Sequence, residues 1–225
     1  MKLLKYKISI LFILGCSPIP LLAQDFVWDT TYMVSGNRLE FNEEHYSPTH
    51  SFLKFSKNGN VIFLDSMDYT GPSGGREFVD FNQDGYIDLK ITWISQVAYS
   101  RLYLYDPESH NFRFVDDLKP YLLSSIFESD KSYYYSYSRA GCADNYWISH
   151  LFRIDNFKTV RVATIYGEGC SENDKDWQIR IVKYLPDNSS TEIDTLPYSI
   201  IDTYKDNKWG FIEDYWNRNV NKFKN

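Results

Sequence analysis

The chain reads as an all-β protein, an antiparallel meander with a β-propeller-like organisation; the alternative packing is a β-sandwich. Three observations predict this. Strand-like runs rich in Val, Ile, Tyr and Phe recur at about 8–12-residue spacing with turn signals between them. Asn58-Gly59 separates two such runs, and an Asn-Gly pair supplies the positive φ angles of a type I′ hairpin turn. A third signal is the D-x-N-x-D-G-x-x-D segment from Asp80 to Asp88, which lies between two further runs.

Residues 1–23 open the chain as a secretory signal peptide. Lys2, Lys5 and Lys7 make the basic start, Ile8 to Gly15 the apolar run, and Leu21-Leu22-Ala23 the cleavage site. The alternative is a lipoprotein anchored at Cys16, since Ile13-Leu14-Gly15-Cys16 approaches a lipobox. Leu14 is bulky for that motif, so soluble export to the periplasm or beyond is preferred. No stretch reaches the roughly 18 apolar residues of a transmembrane segment. Cleavage deletes three Lys and no acid, leaving 21 Lys+Arg against 30 Asp+Glu, a net charge of −9. No basic cluster stands out of that background, which argues against nucleic acid and anionic membranes as partners. Residues 24–225 are long enough to bury one core and carry no linker, so they read as one domain.

Along this domain the strand runs are Phe26 to Val34, Phe52 to Lys57 and Asn60 to Leu64 around Asn58-Gly59, and Arg76 to Asp80. They continue through Tyr86 to Trp93, Arg101 to Tyr105, Phe112 to Val115 and Ser132 to Ser138. The last runs are Tyr146 to Ile154, Thr159 to Tyr166, Trp177 to Tyr184 and Thr191 to Asp194. Residues 117–127 read as a helical turn. Apolar residues at 211, 212, 215, 216, 220 and 223 predict a short amphipathic helix from Trp209 to Lys224.

Asp80, Asn82, Asp84 and Asp88 are candidate ligands for a hard cation, with the backbone carbonyl of Tyr86 as a fifth. Ca²⁺ takes six to eight oxygens at about 2.3–2.6 Å, and a curled loop supplies them from alternate residues. Gly85 permits the reversal that returns Asp88 to the ion. An EF-hand is excluded: its twelfth position requires Glu where this chain has Ile91, and both flanks read as strands. Without metal, the same letters describe an acidic surface turn.

Signal-peptide cleavage leaves two cysteines, Cys142 and Cys170. They flank two strand runs around a turn at Asp155-Asn156, and their midpoint is residue 156. Paired residues of an antiparallel hairpin share a midpoint, so the sulfurs face each other at its open end. In an oxidising compartment this predicts a disulfide.

No catalytic residue is assigned, and the chain reads as a non-enzyme. Gly71-Pro72-Ser73-Gly74-Gly75 matches G-x-S-x-G by letters but leads into a strand, whereas a nucleophile elbow needs a strand before it and a helix after it. His45, His50, His110 and His150 show no metal-ligand spacing. The 19 Tyr, 15 Phe and 6 Trp point instead to binding. Tyr133, Tyr135 and Tyr137 share one strand face, which is either core or a contact surface. Tyr137 and Arg139, just before Cys142, are the candidate partner-binding residues.

The segment Arg76 to Leu89, with Tyr103-Leu104-Tyr105-Asp106-Pro107 and Phe112, resembles one family. It is the periplasmic calcium-binding proteins related to a calcium-dependent lysozyme inhibitor, the immunity protein to a type IV secretion effector. The loop itself is similar to those of integrin-α-type (FG-GAP/VCBS) propeller repeats. The resemblance spans residues 74–115 and extends more loosely to about 167. It implies a β-propeller-like fold, one calcium loop on Asp80, Asn82, Asp84, Tyr86 and Asp88, and a muramidase-like hydrolase as partner. Gln83 stands where the family commonly has an aromatic, and no inhibitor motif carries over. The alternative function is a glycan- or surface-protein-binding module using the Tyr face.

Overall fold

A computed structural model describes residues 27–34, 37–47, 50–68, 73–93, 99–116, 118, 121, 123–127, 130–173, 176–187 and 189–224. The expected signal peptide, with Cys16, lies outside them. Among the described residues, β1 (Val27–Val34), β2 (Asn37–Ser47), β3 (His50–Lys57) and β4 (Asn60–Asp68) form a first sheet in that order. The second sheet is β5 (Ser73–Val79), β6 (Asp88–Trp93), β7 (Tyr99–Asp106) and β8 (Asn111–Phe114). The third runs β9 (Leu123–Ile126), β10 (Tyr133–Gly141), β11 (Tyr146–Asp155), β12 (Lys158–Glu168), β13 (Gln178–Tyr184) and β14 (Ser190–Pro197). Helix α1 (Lys208–Phe223) closes the chain. Within every sheet the pairing is antiparallel between sequence neighbours, so the predicted meander is what forms. The described residues form no closed barrel or propeller.

The sheets stack face to face because alternation along their strands gives each an apolar side. Phe41, Leu53, Phe55 and Met67 of the first sheet meet Leu89, Ile91, Tyr103 and Phe112 of the second. Leu102 and Leu104, on the opposite face of the second sheet, meet Tyr134 and Phe152 of the third. The far side of the third sheet, through Leu151, Ile165 and Ile179, meets Phe211, Trp216 and Val220 of α1. The result is four layers, with the second sheet covered on both faces.

The tail helix buries all six residues that its periodicity marks: Phe211, Ile212, Tyr215, Trp216, Val220 and Phe223. The indole N–H of Trp216 donates to Ser149 Oγ at 2.8 Å, so a buried donor is satisfied. Gly167 makes room for a second indole: a Cβ there would lie 2.1 Å from the Trp147 ring. At the predicted type I′ turn, Asn58 and Gly59 have φ of 51° and 83°.

Two elements depart from expectation. Strand β2 was not marked, because the position that should continue its apolar alternation is Glu43. That residue is fully buried and ion-paired with Arg76 of β5, across the first two sheets. Residues 123–126 of the expected helical turn are strand β9, fixed by pairing with Tyr134 to Tyr137. The pairing is tertiary in origin, and local propensity does not encode it.

Candidate functional site

Val79 pairs with Asp88, so residues 80–87 form a loop closed by the first rung of β5 and β6. The backbone reverses through positive φ at Gln83 (56°) and Gly85 (93°). The Asp80 carboxylate accepts the N–H groups of Asp84 at 2.9 Å and Gly85 at 3.0 Å. Asp84 accepts the Tyr86 N–H at 2.9 Å and the Asn82 amide at 2.9 Å. Asp88 is fully buried and accepts the N–H groups of Phe81 at 2.8 Å and Tyr105 at 2.9 Å. Four candidate ligands are thus held by one loop, and the exposed ring of Tyr86 stacks on Tyr105. As they stand, no three His, Cys, Asp or Glu side chains among the described residues gather closely enough to hold an ion.

Asp88 is the electrostatically unusual member of the loop. Burial pushes the Asp88 carboxyl up to about 7, against the pull of its two backbone donors, and the charges of Asp84 and Asp80 push the same way. Each carboxylate oxygen has two lone pairs, so one hydrogen bond apiece leaves room for a ligand bond. An all-oxygen donor set of this kind is the type that suits a hard divalent ion. The same three charges, after burial itself, also hold the Tyr134 phenol well above its usual range.

The loop is tied to the third sheet. Phe81, between two candidate ligands, stacks on Tyr134 with centroids 5.3 Å apart. Tyr134 stacks on Phe152 at 5.3 Å, and Phe152 on Tyr121 at 4.1 Å. A row of stacked rings therefore runs from the loop through Tyr134 and Phe152 to Tyr121.

At the far end of β10, Cys142 and Cys170 lie at disulfide distance, with Cα atoms 5.7 Å apart. The hairpin they flank is β11–β12, as expected, but its turn is Asn156-Phe157 rather than Asp155-Asn156, because Asp155 pairs with Lys158, and its register carries a bulge at Val162, between the Leu151–Ala163 and Phe152–Arg161 pairs. Residues 142–144 curl into a short 3-10 turn, which brings Cys142 back to meet Cys170.

Tyr137 is not the exposed anchor expected of it. It is 6% exposed, its ring packs on Trp209, and its hydroxyl donates to Asp144. The face it shares with Tyr133 and Tyr135 packs against the core cluster that contains α1. Arg139 does project outward, with its side chain 69% exposed and its Nε 3.6 Å from Asp144. Asp144 also receives Lys208 Nζ, so three side chains meet on one carboxylate. Trp209, Asp144 and Lys208 escaped the sequence reading. Trp209 carried one signal: it stands off the apolar stripe of its helix. Ser73 opens strand β5, which is not the strand-to-helix turn of a nucleophile elbow. His150 is buried with Nδ1 2.9 Å from Thr164 Oγ1.

Among the described residues no helix is long and apolar enough to cross a membrane. No protein-family model matches the chain, and no curated protein matches it. Its fold is similar to that of a solved Xanthomonas type IV secretion system related protein. The TM-score is 0.50 and the identity 13%, over 77% of this chain and 95% of that one. At that identity the likeness is one of fold.

Proposed function

We propose that this chain is an exported, non-enzymatic protein that binds calcium through loop 80–88 and inhibits a muramidase-like cell-wall hydrolase. The observation that carries the reading is the loop itself: it gathers Asp80, Asn82 and Asp84 on a backbone reversal at Gly85 and returns to Asp88, a fully buried carboxylate held by the Phe81 and Tyr105 N–H groups. Asp80, Asn82, Asp84, Asp88 and the Tyr86 carbonyl would hold the ion. Bound there, calcium supplies a positive charge beside the buried carboxylate. The chain's own residues do the rest: Phe81 passes loop order to Tyr134, and the segment around Cys142 presents Arg139 at the surface. The inhibitor reading is supported by the family likeness of residues 74–115 and by the fold shared with a type IV secretion system related protein.

The test is melting with calcium or with EGTA, beside turbidity clearing by a muramidase panel. An extracellular-type site fills at millimolar calcium and stabilises the native state by about 1–2 kcal/mol. Chelator should lower the wild-type melting temperature and leave Asp84→Ala unmoved. At least one panel enzyme should be inhibited, less so in EGTA, and Arg139→Ala should weaken inhibition without a change in melting. An unchanged wild-type melting temperature in excess EGTA overturns the calcium assignment. A panel that clears at full rate overturns the inhibitor assignment.

A further inference from the structure

We infer that the groove between the start of α1 and strand β9 is a binding site for a neutral saccharide. It is a cavity of about 350 Å³, lined among others by Trp209, Tyr135, Tyr137, Ser125, Glu213 and Lys90. That volume falls in the lower range of ligand pockets, suited to one or two sugar rings.

Trp209 is the central observation. The apolar stripe of its helix is buried, yet this indole is 47% exposed. It is also held in place from below. Its ring rests on Tyr137 with centroids 3.9 Å apart, and the Tyr137 hydroxyl is fixed by Asp144. Lys208, the neighbouring residue, is fixed by the same carboxylate and also donates to the Asp144 carbonyl at 3.0 Å. The two rings meet at a tilt of 51°, so the exposed part of the indole is backed by Tyr137, and an aromatic group backed in this way loses little freedom on binding.

The polar lining selects the ligand. Glu213 lies one helical turn beyond Trp209 and is exposed, and Lys90 approaches from β6 across the groove. Ser125 is exposed on β9. The Lys90 ammonium is 3.9 Å from Glu77, so with Glu213 the rim carries no positive excess to draw an anion. An anionic ligand would meet Glu213 and a chain already at −6, whereas a polyol both donates to the carboxylate and accepts from the ammonium. The apolar C–H face of a pyranose covers the indole, and its hydroxyl edge meets the charged pair. The site requires neither calcium nor a hydrolase partner, so it stands or falls separately from the function proposed above.

Isothermal titration of the full-length protein with cellotriose, maltotriose and chitotriose tests it. Saturable binding of at least one sugar is expected. Trp209→Ala should weaken that binding by about tenfold or more, as loss of a central aromatic anchor does. Glu213→Gln, at an exposed position, should weaken it several-fold with an unchanged melting temperature, and covers the case in which the Trp209 variant folds poorly. The calcium-dependent shift in melting should survive in both variants. No binding of any of the three sugars, or an affinity that both variants retain, overturns the proposal.

Discussion

His150 is a packed residue of strand β11. It is 6% exposed, its ring stands edge-on to Tyr121, and Thr164 takes its Nδ1. Burial drives its pKa from 6.5 down to about 4, and the nearby Arg161 adds to the shift. The native state therefore resists protonation that the unfolded chain accepts. Stability is complete above about pH 6.5, falls as pH drops below it, and the loss is complete below about pH 4. A shift of that size corresponds to at most about 3 kcal/mol. Melting between pH 4 and 7 should be steeper in pH for wild type than for His150→Gln; parallel slopes would refute the assignment. Alternation placed Tyr137 on one face with Tyr133 and Tyr135, and that grouping holds. Which side of the strand is interior depends on α1, some seventy residues later, and no local pattern records it.

At the scale of the element, loop 80–88 and hairpin β11–β12 differ in how far the chain foretold them. The loop was legible down to its reversal, because a Gly at the sixth position and oxygen side chains at alternate positions leave few ways to fold. The hairpin was legible in its strands and in the meeting of its cysteines. Its register was not, since the extra residue at Val162 shifts the midpoint and a β-bulge has no composition signal in this valine-rich run. The 3-10 turn after Gly141 absorbs the difference. The cysteines are separated by 28 residues, for which the chain-entropy model gives roughly 3–4 kcal/mol of stabilisation by a disulfide. Non-reducing peptide mapping of exported protein should recover one cross-linked pair, and Cys142→Ser should lower stability by about 3 kcal/mol. Two freely alkylated thiols in native protein would remove both expectations.

For the whole molecule, the class and the meander were written in the spacing of the runs, while the stacking order was not. Strand β2 escaped because its inward position is Glu43, whose burial makes sense only beside Arg76 of another sheet. The helix, by contrast, announced its buried stripe, and it seals the outer face of the third sheet. Trp216 is fully buried in that seal, so Trp216→Ala should cost about 3–5 kcal/mol and leave Ser149 without its donor. A denaturant midpoint close to that of wild type would show that α1 is a dispensable cover. The strand order has a further consequence, in time more than in space. Among the described residues, strands pair with their neighbours in sequence, apart from a single bridge of β12 to Asp116, and each sheet meets the one just before it. Contacts of short sequence separation form quickly. A chain delivered from its N-terminus can therefore finish one sheet before the next arrives, each completed face serving as template for its successor. Helix α1 follows the third sheet in sequence and can cover its outer face only once that sheet exists.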